Sequence, residues 1–455
     1  MLRIIGAVAA AAFVSTASAV RHDHSSLARA AEDTASFDVS ALLTAARGVS
    51  PNVCALAARA VGNGSWGRSS DAPVTPLGAS ADLHGMLDSR NLPAVDVTRL
   101  IGALGSDDPC VRELSVRLIG TQNDSSVAPE LLTRLTSSNA SLRAIAAFGL
   151  GLVDAGTAVD QLIHALGDAT ADVRANSAWA LGRIEDGRAL SPLVSLFNDA
   201  SPVTREAAVI AVGRMDSTST SAALIRTLQH DDVASVRRAA AWALGTLDAK
   251  DGVPALSTTL TNDSNAGVRE MSAWALGNLD DNAGASALQR ALQKDSDDKV
   301  RESAAWALGE LGDASSTDAL ASATESDKSV RVRGTAAWAI GQIGHADGRA
   351  VAGLTHLLKE SDDNVRLRAA WALGQIEDST ALPKIDSALG VEKNSDVRRA
   401  LIRAVSKSGG NTAARMRVLI DSKDPQVREA AIRSLAGGRA FGPWPWPAPR
   451  PRPWP

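Results

Sequence analysis

Six copies of one five-residue stretch limit what this chain can fold into. Ala-Trp-Ala-Leu-Gly ends at Gly182, Gly245, Gly277, Gly309 and Gly374, and Ala-Trp-Ala-Ile-Gly ends at Gly341. From Gly245 onward the copies stand 32 or 33 residues apart. A fixed period in this range means one supersecondary unit stacked repeatedly, each burying a face that only its neighbours can cover. Its 455 residues would otherwise suggest about three domains, but an array has no single central core to limit its size. The composition, 45% hydrophobic and 22% charged, favours neither disorder nor membrane residence. There is no Tyr, and six of the 10 Trp sit in the pentapeptide. Register places the aromatics.

Each unit reads as an antiparallel helix pair. In 251–280 the first helix carries Pro254 in its opening turn, where a missing N–H costs little. A polar turn around Asp263 follows, and Val268 opens an Ala-rich second helix. Gly277 is expected at the left-handed position that closes this helix, with Leu279 as the apolar contact behind it. Aligned in this way, second helices are expected to start at Val53, Val111, Leu142, Val173, Thr204, Val236, Val268, Val300, Val332, Val365, Val397 and Val427. The central units are regular and both ends are degenerate, as capping repeats are.

The pattern Val-Arg-x-x-Ala-Ala-x-Ala-Leu-Gly-x-Ile/Leu resembles the HEAT repeats of the phycobilisome-lyase type over about three-quarters of the chain. The resemblance implies an all-α fold, a right-handed solenoid of about twelve stacked helix pairs. A second mark of the family is an Asp six residues before the Arg: Asp168/Arg174, Asp199/Arg205, Asp231/Arg237, Asp263/Arg269, Asp295/Arg301 and Asp327/Arg333. Glu360 stands at that offset before Arg366, and Glu392 before Arg398. The resemblance implies a hydrogen-bonded ladder through the stacked turns, a structural role, and charge-assisted pairs suit it.

At about 100° per residue, the pentapeptide Trp lies well away from the apolar stripe that meets the first helix. Two placements follow. Trp179, Trp242, Trp274, Trp306, Trp338 and Trp371 either pack sideways on the next repeat as core, or line the groove formed by the second helices with one face wet. We take partial exposure as the expectation, with the residues one turn further on, among them Arg183, Asn278, Gln342 and Gln375, completing a ligand-binding row. The spacing of packed helices, ~8–10 Å, is close to one turn of polyproline II, about 9.3 Å, so an extended or Pro-rich peptide suits such a row. Armadillo-repeat importers, which hold peptides on a row of Trp with an Asn four residues on, are similar, and Trp274 with Asn278 matches that pair. Arg117, Phe148, Ile210 and Arg403 fill the Trp slot elsewhere.

The remaining segments are read from composition. Residues 1–19 have the basic start, apolar run and Ala17-Ser18-Ala19 site of an export signal, so a periplasmic or secreted location is expected. A flexible leader (20–37), a first degenerate repeat (38–62) and an inserted loop (63–94) precede the array (95–437). Cys54 and Cys110 are the only cysteines, an even count in a chain expected to be exported. A disulfide and two buried thiols are both open readings. The tail 438–455 alternates Pro with Trp444, Trp446, Arg450, Arg452 and Trp454, which favours polyproline II. From residue 391 onward there are 13 Lys+Arg against 5 Asp+Glu, a net +8, against −4 for the whole chain.

Catalytic patterns are not seen. The seven His show no metal-ligand spacing, and neither a Gly-rich phosphate loop nor a nucleophile elbow occurs. The reading is therefore a non-enzymatic scaffold without cofactor that binds a protein or extended peptide and no nucleic acid. Two alternatives stand beside it: a lyase-like or chaperone subunit acting on a chromophore-bearing partner, and an envelope-binding protein working through its basic C-terminal end on an anionic surface. The tail docking in the groove of its own or a neighbouring chain is a further possibility.

Overall fold

A computed structural model of the chain describes residues 38–51, 53–54, 57, 92–122, 125–408 and 412–435. The expected export signal, the leader, all but the last residues of the inserted loop, and the tail lie outside these. The described chain is all-α. It divides into two compact units, one ending at Ser217 and one beginning at Thr218.

In the first unit α1 (Val39–Ala45) comes first, with Pro51, Val53, Cys54 and Ala57 also helical, and four helix pairs follow: α2 (Ala94–Ala103) with α3 (Pro109–Thr121), α4 (Ala128–Leu135) with α5 (Ala140–Leu152), α6 (Val159–Ala165) with α7 (Ala171–Ile184), and α8 (Leu190–Ser195) with α9 (Pro202–Arg214). In the second unit seven pairs follow: α10 (Ser221–His230) with α11 (Ala234–Thr246), α12 (Val253–Asn262) with α13 (Ala266–Asn278), α14 (Ala285–Lys294) with α15 (Asp298–Leu311), α16 (Thr317–Ser326) with α17 (Val330–Ile343), α18 (Gly348–Leu357) with α19 (Asp363–Ile376), α20 (Leu382–Val391) with α21 (Ser395–Lys407), and α22 (Thr412–Ile420) with α23 (Pro425–Leu435). Each second helix packs on its own first helix and on the second helices before and after it within its unit. This is the solenoid architecture expected.

Two local expectations are corrected. The second helices begin about two residues before the aligned Val, because Asp108, Asn139, Asn265, Asp297, Asp362 and Asn394 act as N-caps, their side chains accepting backbone N–H groups of the first turn. The pentapeptide Gly does not close the helix. Gly277 is buried within α13, which runs on to Asn278, and the left-handed residue is Asp280 (φ 44°). Asp154, Glu185, Asp216, Asp248, Glu377, Gly312 and Gly344 hold that conformation in other repeats.

What the Gly does is permit close approach. A methyl group built on Gly277 would lie 2.8 Å from the Cα of Ala307 and 2.9 Å from Cζ3 of Trp306, both on the next second helix. Gly151, Gly245, Gly309 and Gly341 meet Trp179, Trp274, Trp338 and Trp371 in the same way, and Gly182 meets Ala211. The indole edge of one repeat thus sits over the bare Cα of the repeat before it.

Candidate functional site

The turns between first and second helices carry the ladder. Arg269 on α13 donates through Nε and Nη2 to both carboxylate oxygens of Asp295 in the next repeat, at 2.7 and 2.8 Å. Its Nη1 turns back to the carbonyl of Asp263 in its own repeat at 2.9 Å. One planar fork therefore ties two successive turns. The same arrangement joins Arg143 to Asp168, Arg174 to Asp199, Arg237 to Asp263 and Arg301 to Asp327. The two Glu departures fit it as well: Glu360 accepts from Arg333 and Glu392 from Arg366. Arg205 donates to the Asp199 carbonyl, and Asp231 accepts from the Val233 N–H and, at its carbonyl, from Arg237.

Asp168, Asp199, Asp263, Asp295 and Glu392 of the ladder titrate low. Hydrogen bonds from Arg143 hold Asp168 below the usual carboxylate range. For Asp199, Asp263 and Asp295 burial pushes upward, but the Arg fork and a backbone N–H two residues on outweigh it, and each ends below its ordinary value. These groups are spent on holding the turns together.

The Trp row stands differently from its expected placement. Trp179, Trp242, Trp306, Trp338 and Trp371 are buried, the last two at 1% and 9% exposure. Only Trp274 is partly exposed. The direction away from the first helix is, in a stack, largely the direction of the neighbouring second helices, and the indoles are consumed there. Trp179 and Trp338 bury Nε1–H without an acceptor in hydrogen-bonding range, so these rings serve as shape. In the first unit other slot residues continue the same column: the Arg117 guanidinium lies 5.7 Å from the Phe148 ring centroid, Phe148 packs on Trp179 with centroids 4.6 Å apart and planes tilted by 44°, and Arg183 lies 5.2 Å from the Trp179 ring centroid.

One turn beyond the indoles, the row remains at the surface in the second unit. Thr246, Asn278, Glu310 and Gln342 are exposed and Gln375 is half-buried. Asn278 donates weakly to the Trp274 carbonyl at 3.3 Å, and Gln375 accepts from Lys407 at 3.3 Å. In the first unit Arg183 donates to the Gly151 carbonyl at 3.1 Å, which makes it a link between repeats. The structure thus distributes the candidate residues along a face.

That face also holds charges missed in the sequence, at positions two or three residues after the aligned Val. Glu270 on α13 is half-buried, and burial raises its carboxyl above the ordinary range, with Arg238 and Lys299 drawing it down and Asp297 and Glu302 adding to the rise. Glu302 pairs with Arg331. Arg368 donates to Thr335, and burial disfavours its charge. The signal was available as an acid or base recurring at one register position beside the template Arg. Elsewhere, Cys54 and Cys110 form a disulfide that closes a separation of 56 residues within the first unit. Among the described residues no group of three or more His, Cys, Asp or Glu is placed to hold a metal ion.

Stacked helix pairs joined by an Arg–carboxylate ladder define an α-solenoid repeat protein. The sequence matches the family described as HEAT repeats over residues 128–213, 159–244, 190–277, 221–309, 291–363 and 351–436. The chain belongs to the HEAT repeat family. Solved structures with a similar fold include the complex of CpcE and CpcF of phycocyanin lyase from Nostoc sp. PCC7120, 23% identical, covering 50% of this chain and 92% of that one with a TM-score of 0.33. An engineered protein is 20% identical over 75% of this chain and 98% of its own, and the Escherichia coli protein YibA 22% identical over 64% and 94%, each with a TM-score of 0.43. Likeness at this level implies no shared activity. A comparison with curated proteins returns no match.

Proposed function

We propose that the chain is a non-catalytic scaffold of the cell envelope that holds a protein, or an extended segment of one, against the second-helix face of residues 218–435. The observation that carries this reading is the row Thr246, Asn278, Glu310 and Gln342, exposed at the surface and repeated once per helix pair. A polar side chain recurring along a stack suits the main chain of an extended partner, whose own donors and acceptors recur at similar spacing. HEAT repeats commonly serve as binding scaffolds, and the ladder leaves its charged groups fully engaged in structure. Export is supported by the leader sequence and by the Cys54–Cys110 disulfide, which suits an oxidising compartment.

The test is crosslinking capture from the envelope fraction with the wild type and with Asn278→Ala, Glu310→Ala and Gln342→Ala combined. Loss of specific partners with an unchanged melting temperature supports the reading; full retention of every partner removes it. The net +8 of residues 391–455 favours a second reading, attachment to an anionic surface. Salt-sensitive binding to vesicles containing anionic lipid, lost on neutralising Arg450 and Arg452, would support that reading, and salt-independent or absent binding would remove it.

A further inference from the structure

One line on α13 differs from every other repeat. Glu270, Trp274 and Asn278 follow one another at i, i+4 and i+8, so they stand above one another on one side of the helix. Trp274 is the pentapeptide indole left partly exposed. Asn278, one turn beyond it, is exposed. Glu270, one turn before it, is a half-buried carboxylate with no hydrogen bond or ion pair among the described residues, flanked at a distance by Arg238 of α11 and Lys299, Asp297 and Glu302 of the α15 side. A half-buried acid one turn from a partly exposed indole is a receptor for a cation, since the ring attracts the charge and the carboxylate forms the charge-assisted hydrogen bonds.

The geometry points to the chain's own C-terminal segment, residues 438–455, as the occupant, with an arginine of that segment set against Glu270 and Trp274. The inference rests on the reading of this face as a peptide-binding surface and names what fills it. The segment carries Arg439, Arg450 and Arg452 and no acid. Its prolines favour the extended form that leaves side chains free to dock. Its reach is adequate. From α13 to α23 there are five steps between second helices, about 50 Å at ~10 Å each. Arg452 stands 17 residues beyond Leu435, the end of α23, a span of about 53 Å in polyproline II. Second helices of a stack run in one direction, so α23 ends at the same edge of the face on which Asn278 lies, with Trp274 one turn inward.

The test uses the full-length chain and a fluorescein-labelled synthetic peptide of residues 438–455, followed by anisotropy at about 0.15 M salt. The Arg450→Gln/Arg452→Gln protein, whose own segment no longer competes, is expected to bind the peptide more tightly than the wild type does. Adding Glu270→Gln to it is expected to weaken binding about tenfold, and the wild-type peptide is expected to bind that variant no better than a peptide with Arg450 and Arg452 replaced by glutamine binds the parent. Glu270→Gln is nearly isosteric, and circular dichroism verifies its fold; Asn278→Ala gives a second probe of the same line and is expected to weaken binding as well. Equal affinity for the proteins with and without Glu270→Gln and Asn278→Ala, or no binding at about 1 mM peptide, overturns the inference. No partner protein is present in this titration. A negative result therefore removes the docked segment and leaves the scaffold reading to its own capture experiment, and the converse holds too.

Discussion

At Gly277 the chain omits a methyl group so that α15 can lie against α13, and Trp306 occupies the space gained. In an exposed helix, replacing Gly by Ala stabilises by about 1 kcal/mol. Here the added carbon meets backbone at 2.8 Å, which flexible side-chain motion cannot relieve. Gly277→Ala is therefore expected to destabilise the second unit by about 1–3 kcal/mol, as overpacking does, read as a lower urea midpoint. Trp338, at 1% exposure, is the other half of such a contact. Trp338→Ala is expected to cost about 3–5 kcal/mol, whereas Trp274→Ala, with part of its ring already wet, should cost less. Equal small losses for the two would mean that the indoles do not join the repeats.

At the scale of the elements, the ladder makes stability depend on acid. The carboxylates of Asp168, Asp199, Asp263, Asp295 and Glu392 titrate below their ordinary values in the folded chain. Unfolding restores the ordinary values, so the stabilisation is complete above pH ~4 and is lost as pH falls through the folded values. Melting temperature followed downward from pH 5 should drop steeply, and Asp263→Asn should lower the plateau while flattening the acid slope. Arg269→Lys keeps the charge but not the three-way fork, and should cost about 1–3 kcal/mol. Much of this was legible in the sequence. The 32-residue period, the helix pairs and the Asp–Arg offset can be read from residue types, because each repeats in phase and depends on local rules. The placement of Trp could not be read so. A helical projection shows that the ring points away from the first helix, but how near the neighbouring second helix stands depends on which residue faces the ring across the gap. Gly277 misled for the same reason: a glycine near the end of a helical pattern resembles a terminator, and only the distance to Ala307 shows its use. Glu270 shares its register position with Arg238 and Glu302, a recurrence visible in the sequence, but its half-burial depends on its neighbours in space.

For the whole molecule, a repeat array is stabilised as a sum of units and nearest-neighbour contacts, so each local device has a local reach. The Cys54–Cys110 bond closes 56 residues at the start of the first unit, and loop entropy values it at ~4 kcal/mol. Reduction is expected to raise hydrogen exchange in α2 and α3 while α13 to α19 keep their protection; uniform loss across the chain would argue against nearest-neighbour behaviour. The central claim is that the five buried indoles build the stack and leave recognition to the polar row beside them and to the partly exposed Trp274. Iodide quenching tests it most directly, applied to the part of the Trp emission that is lost in Trp338→Phe and, separately, in Trp274→Phe. The account predicts that the emission assigned to Trp338 is blue-shifted and unquenched, and that assigned to Trp274 is quenched in part. A Trp338 component quenched as readily as free indole would contradict it.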